Sequence, residues 1–205
     1  MTDLYLIRHG DSLLGEAEGK VVELGLSLEG VHQSELLRNR LAHTAEIKAD
    51  VLIISTAQRA QETAAIIAPA LGQPLVILDP DFEEWRSDDG SLSEEEFDAR
   101  WQAVPKDQKA FYRWIPGYEN RLEFTLRVQL SVNRVLQAHK GKTIVVVSHG
   151  AFIQVVFGFF FAHGEANLDR ATPEIRRTSI SHWVQRDGDT RWILERSNDY
   201  AHLTD

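Results

Sequence analysis

The sequence predicts an α/β fold: a three-layer αβα sandwich with a mostly parallel central sheet and an inserted helical cap. Three observations predict it. Short unbroken apolar runs, Val51-Leu52-Ile53-Ile54 and Thr143-Ile144-Val145-Val146-Val147 above all, read as strands buried on both faces. These runs alternate with helix-spaced segments through short loops, the pattern of a parallel sheet covered on both sides. Residues 79–120 interrupt that alternation with an acidic, aromatic-rich stretch.

Taken in order, Leu4-Tyr5-Leu6-Ile7 reads as a strand running into Arg8-His9-Gly10, and residues 11–23 read as a polar loop. Ser27 is a helix N-cap, followed by Val31, Leu36, Leu37 and Leu41 at near-helical spacing. The strand at 51–54 leads into a helix that carries Arg59 in its first turn and ends near Gly72. Leu75-Val76-Ile77-Leu78 is a third strand. Between Asp79 and Ala99 there are ten acids and one base, yet Trp85, Trp101, Phe111, Tyr112 and Trp114 rule out a purely disordered linker, so short helices forming a cap are expected. A long helix at about 119–139 returns the chain to the core. The fourth strand, at 143–147, runs into Ser148-His149-Gly150 and a Phe-rich helix. Segments near 179–185 and 191–195 are β-like, with Asp187-Gly188 as a hairpin turn between them. The expected organisation is one domain over 1–205 with the cap inserted at about 82–120.

With 205 residues the chain can bury a substantial core without staples. The absence of cysteine excludes disulfides, thiolate metal sites and cysteine nucleophiles, and fits a reducing compartment. No signal-peptide pattern opens the sequence, and the apolar run at 151–162 is far short of a membrane span, so a cytoplasmic protein without membrane contact is expected. A net charge of −9 argues against nucleic acid as a partner. It leaves room for a small anionic substrate, because a few convergent arginines govern the local potential.

Three strand ends carry chemistry-bearing side chains, and open parallel sheets bind ligands outside the carboxyl ends of their strands. Arg8-His9-Gly10 follows the first strand, Arg59 the second and Ser148-His149-Gly150 the fourth. Guanidinium groups grip anionic oxygens in a fork and an imidazole can attack phosphorus, so one histidine is a candidate nucleophile and the other a clamp. Helix N-termini would add backbone donors, and phosphoryl transfer by position and electrostatics needs no metal. The leaving group needs a proton, and Asp81, Glu83 and Glu84 all follow the third strand. Each residue has a plainer alternative: a surface or core histidine, a helix salt bridge, a solvated acidic face.

Together these motifs resemble the histidine phosphatase superfamily, the phosphoglycerate mutase-like group. Arg8-His9-Gly10-Asp11-Ser12 is similar to its Arg-His-Gly-Glu-Thr signature, and residues 26–33 to its Leu-Thr-x-x-Gly-x-x-Gln segment. Ser55-x-x-x-Arg59-Ala60-x-x-Thr63-Ala64 resembles the second arginine motif, Phe82-Glu83-Glu84 its Leu-x-Glu, and Val147-Ser148-His149-Gly150 its second histidine motif. Residues 116–120 and the ending Asn198-Asp199-Tyr200-Ala201-His202-Leu203 are also similar. The resemblance implies His9 as the nucleophile that becomes phosphohistidine. It implies Glu84, rather than Glu83, as the acid and then the base. Arg8, Arg59 and His149 would hold the phosphoryl oxygens, with Gly150 and Ser12 adding to the phosphate pocket. No cofactor and no metal are implied. Two positions depart from the pattern: Gly15 stands where many members have a phosphate-touching asparagine, and Asn120 where many have serine.

A metal-independent phosphomonoester hydrolase is therefore the expected activity. The alternatives are a phosphoglycerate mutase and a catalytically silent phospho-ligand binding module. No segment like the mutases' Glu-Arg-His-Tyr-Gly occurs, and no core group is lost. A small phosphorylated metabolite or a phosphoprotein is the expected substrate, its apolar or partly cationic leaving group set by the cap. The Phe-rich helix is read as core or as the contact of a homodimer.

Overall fold

The structure is a computed structural model and describes residues 1–162 and 171–204. Its main sheet has six strands: β1 (Thr2–Arg8), β4 (Val51–Ile54), β5 (Leu75–Leu78), β6 (Thr143–Ser148), β7 (Ile180–Gln185) and β8 (Ile193–Asp199). They lie in the order β5-β4-β6-β1-β7-β8. The first four run parallel, and β7 pairs antiparallel with both β1 and β8. The sheet is thus mixed and mostly parallel, as the alternation of apolar runs and helices implies.

Alternating side chains of the central strands fill two cores, one on each face. On one face Leu4, Leu6, Val51, Ile53, Ile144 and Val146 meet α4 (Arg121–Ala138) and α5 (Gly150–Phe160). On the other, Ile7, Leu52, Ile54, Val145 and Val147 meet α1 (Leu28–Thr44) and α2 (Gln58–Ile67). The Phe-rich helix is spent largely on the first core: Phe152 and Phe157 are buried there, and Phe159 and Phe160 pack against it. Ser27 caps α1 by accepting from the Gly30 N–H. Asn120 caps α4 in a reciprocal box with Glu123, so asparagine in place of serine exchanges one good N-cap for another.

Residues 83–119 hold α3 (Glu94–Ala103) and a short 3-10 turn at Lys106–Phe111. Their aromatic side chains make a small core of their own. Trp114 stacks on Phe97 with ring centroids 4.2 Å apart and meets Trp85 edge-on at 5.1 Å. Trp85 in turn stacks on Phe124 of α4, which joins this cluster to the sheet core.

One expectation is corrected. Residues 11–23 are not a polar loop but most of a β-hairpin, β2 (Ser12–Ala17) with β3 (Lys20–Leu26), a separate two-stranded sheet. Its turn uses Glu18 and Gly19, both at positive φ. The hairpin is tied to the acidic stretch by a hydrogen bond of 2.8 Å from the Val21 N–H to the Gly90 carbonyl and by the Lys20–Asp89 ion pair. Among the described residues no helix is long and apolar enough to cross a membrane.

Candidate active site

Strand register builds the centre of the site. β1 and β6 are parallel neighbours with Arg8 opposite Ser148, so the residues that follow, His9 and His149, leave the sheet side by side. The His9 N–H donates to the Ser148 carbonyl at 3.0 Å, which extends the pairing by one step. Both imidazoles are buried, with ring centroids 5.0 Å apart and edge-on.

Arg59 bridges them. As expected, it stands in the first turn of the helix after the second strand. Its Nε donates to His9 Nε2 at 3.0 Å and its Nη2 donates to His149 Nδ1 at 2.9 Å. These donors fix the tautomers. His9 Nδ1 lies 2.7 Å from the Gly10 carbonyl and carries the proton, which leaves a lone pair on Nε2. His149 Nε2 carries its proton toward Ser55 Oγ at 2.8 Å. Burial and the field of Arg59 hold both rings neutral, His9 down to about 2 and His149 well below its ordinary value.

The loop after β1 is held from three sides. The Gly10 N–H donates to Thr63 Oγ1 at 3.0 Å, and the Asp11 N–H to Gln33 Oε1 at 3.0 Å. Ser27 Oγ donates to Asp11 Oδ2 at 2.7 Å. Gly10 is needed for a packing reason: a Cβ there would meet the Gly30 carbonyl oxygen at 2.5 Å. A Cβ on Gly30 would in turn collide with the Asp11 carbonyl, so the two glycines let this loop press against the start of α1. Residues Ser27, Gly30, Gln33 and Thr63 of the recognised motifs thus act as supports.

The three candidate acids go to three different places. Asp81 pairs with Arg134 at 2.9 Å, outside the site. Glu83 accepts from Thr56 and pairs with Arg86 at 2.8 Å. Glu84 turns to the N-terminus of α5, where its carboxyl accepts from the Ala151 and Phe152 N–H groups at 3.1 and 3.2 Å. It serves as the cap that His149, at the N-cap position, does not supply. Burial raises the Glu84 pKa above its ordinary value, outweighing the lowering by those backbone donors. Arg8 donates from Nη1 to the Ile175 carbonyl at 2.6 Å, and its guanidinium lies over Gly150, where a Cβ would be 3.3 Å from Cζ. Ser12 opens β2 opposite Leu26, and its hydroxyl makes no hydrogen bond among the described residues.

The structure adds three residues not singled out from the sequence. Arg177 places Nη1 3.3 Å from each ring nitrogen of His9 and its Nε 3.8 Å from Asp11. Glu23, on the hairpin, pairs with Arg59 Nη1 at 2.8 Å and accepts from the Arg59 N–H at 2.7 Å. Arg127 of α4 donates to the carbonyls of Asp81, Glu83 and Glu84 and is clasped through two of its nitrogens by Glu119 at 2.6 and 2.8 Å. Beside Glu84, Trp85, Phe124, Ala151 and Val155 line a mostly apolar cavity of about 150 Å³.

Residues 4–199 match the family model described as histidine phosphatase superfamily (branch 1). The chain belongs to the histidine phosphatase superfamily. The expectation of an enzyme of the phosphatase class stands with this membership. Two curated relatives carry different names. A metal-independent phosphoserine phosphatase of Arabidopsis thaliana is 25% identical over 213 residues, covering 100% of this chain and 84% of that protein. A probable phosphoglycerate mutase of Yersinia pestis is 28% identical over 222 residues, covering 99% of this chain and 95% of that protein. In fold, this member of the superfamily is similar to a mutant phosphoserine phosphatase of Entamoeba histolytica solved with phosphoserine. That likeness has a TM-score of 0.75 at 20% identity, over 99% of this chain and 100% of the other.

Proposed function

We propose that this histidine phosphatase hydrolyses phosphomonoesters through a phosphohistidine on His9. The observation that carries the reading is the Arg59 guanidinium bridging two neutral, buried imidazoles, with the lone pair of His9 Nε2 turned to that guanidinium and accepting from it. A phosphoryl group entering there takes over the donors of Arg59 and lies within reach of Arg8. A dianion beside His149 favours the imidazolium, which then donates from Nδ1.

His9 Nε2 attacks phosphorus, and the bond from phosphorus to the ester oxygen breaks. Glu84 gives its proton to that oxygen, and the alcohol departs. The Glu84 carboxylate then takes a proton from a water molecule, which attacks the phosphohistidine. Inorganic phosphate leaves, His9 is neutral again and Glu84 is again protonated, so each turnover consumes one water. The guanidinium and backbone donors stabilise charge on the transferring group by position. In this reading the leaving group enters the cavity beside Glu84, whose mostly apolar lining supports a small phosphorylated metabolite with an apolar portion. In this reading residues 82–120, through Trp85, form the cap that selects it.

Purified protein is expected to release phosphate from an aryl phosphate in the presence of EDTA, and His9→Ala to abolish release. Activity lost to the chelator, or kept by the variant, would sink the reading. The mutase alternative has the Yersinia pestis relative in its favour. Isomerisation of phosphoglycerate with a bisphosphoglycerate primer, faster than hydrolysis, would select it.

A further inference from the structure

The mechanism above leaves Arg177 without a task, although its guanidinium is the cation closest to His9 after Arg59. We infer that Arg177 is a third phosphoryl-binding arginine of this site, shifting from His9 and Asp11 onto the phosphoryl oxygens when substrate enters. The inference rests on the reading of the site as a phosphate site.

Three observations support it. Neither contact with the ring satisfies the guanidinium, because the Nδ1 proton already goes to the Gly10 carbonyl and the Nε2 lone pair already accepts from Arg59. A donor 3.3 Å from each ring nitrogen is therefore held beside the attacking atom, where it can reach oxygens of a phosphoryl group but does not block the Nε2 lone pair. The tie to Asp11 is loose at 3.8 Å, while Asp11 Oδ2 is engaged by Ser27. The backbone, by contrast, is fixed. The Thr178 N–H donates to the Arg8 carbonyl at 3.0 Å, the Arg176 N–H to Asn198 Oδ1 at 2.7 Å, and Thr178 Oγ1 meets His202 Nε2 at 2.9 Å. A mobile, charged, bidentate head on an anchored turn is what a dianion spreading charge over three oxygens calls for.

The test compares Arg177→Gln, Arg177→Lys and Arg177→Gly with wild type, using an aryl phosphate as substrate and orthovanadate as a transition-state probe. Arg177→Gln should lose roughly 100-fold in kcat/KM and weaken vanadate inhibition to a similar degree, as for removal of one transition-state donor. Arg177→Lys should recover part of this, and added guanidinium should partly rescue Arg177→Gly. Arg176→Gln is the control. That side chain lies over the Tyr200 ring at 4.2 Å and faces Glu174, away from the site, and its loss should leave kcat/KM within about twofold. Arg177→Gln with unchanged vanadate inhibition would overturn the inference. So would a loss of activity that tracks a lower unfolding temperature and resists rescue. If wild type binds vanadate yet hydrolyses nothing, the hydrolase reading fails, and the vanadate affinity of Arg177→Gln alone decides the role of Arg177.

Discussion

Glu84 is the residue through which pH reaches the proposed reaction. Burial raises its pKa, so the acid form persists to higher pH than for an exposed carboxyl. As pH rises through that raised pKa, the proton needed by the leaving group is lost, and kcat/KM should fall on the alkaline side. The nucleophile adds no opposing limb near neutrality, because His9 stays unprotonated down to about 2 in the free site. Glu84→Gln should therefore flatten the alkaline limb and cost about 100- to 10,000-fold with alkyl phosphates. Aryl phosphates, whose leaving oxygen needs less help, should lose much less in kcat/KM but not in kcat, because Glu84 also activates the water of the second step. Initial rates across a pH series with one substrate of each kind check both statements. An unchanged alkaline limb in the variant would assign it to another group.

At the scale of elements, α4 positions that acid. Arg127 gathers the carbonyls of residues 81, 83 and 84, and Glu119 at the head of α4 clasps Arg127. The pair is mostly buried, so removing one partner leaves an uncompensated charge. Arg127→Met should destabilise by up to about 3 kcal/mol, read from urea unfolding. It should also lower kcat more than it weakens vanadate binding, because it loosens Glu84 and leaves the phosphoryl donors in place. Equal losses in both would mean that the whole site had shifted. The central strands β1, β4 and β6 were legible in the sequence because each is a buried apolar run, and β5 because its run is apolar although Leu75, Val76 and Leu78 are exposed. The hairpin was not, for a physical reason. Leu13, Leu14, Val21 and Leu24 are all exposed, so no buried face imposes an alternating pattern, and Glu18-Gly19 is not among the usual turn pairs. The residues at strand ends could be found by local motif. Arg177 could not, since it lies 168 positions from His9, and only the turn tied to the end of β1 brings it in. Glu23 was hidden with the hairpin that carries it.

Over the whole molecule, charge is sorted by place. The chain carries −9, yet Arg8, Arg59 and Arg177 converge on one sheet edge beside two neutral histidines. In the free site Glu23 and Asp11 answer two of those arginines, so an incoming phosphate competes with carboxylates already present. The aromatic cluster of residues 83–119 reaches the site through Trp85, the neighbour of Glu84, which couples packing in that cluster to the proposed acid. The two supporting glycines, the α5 N-terminus and the β1–β6 register serve one purpose in the proposed reaction: they hold His9 Nε2 at the mouth of that cationic pocket.

Trapping the phosphoenzyme tests this account most directly. Protein mixed with a radiolabelled phosphomonoester and quenched in alkali during turnover should carry label that is acid-labile and maps to the peptide containing His9. His9→Ala should carry none, and Glu84→Gln should accumulate it when the labelled substrate is an aryl phosphate. Turnover without trapped label, or label on His149 or on any other residue, would contradict the account.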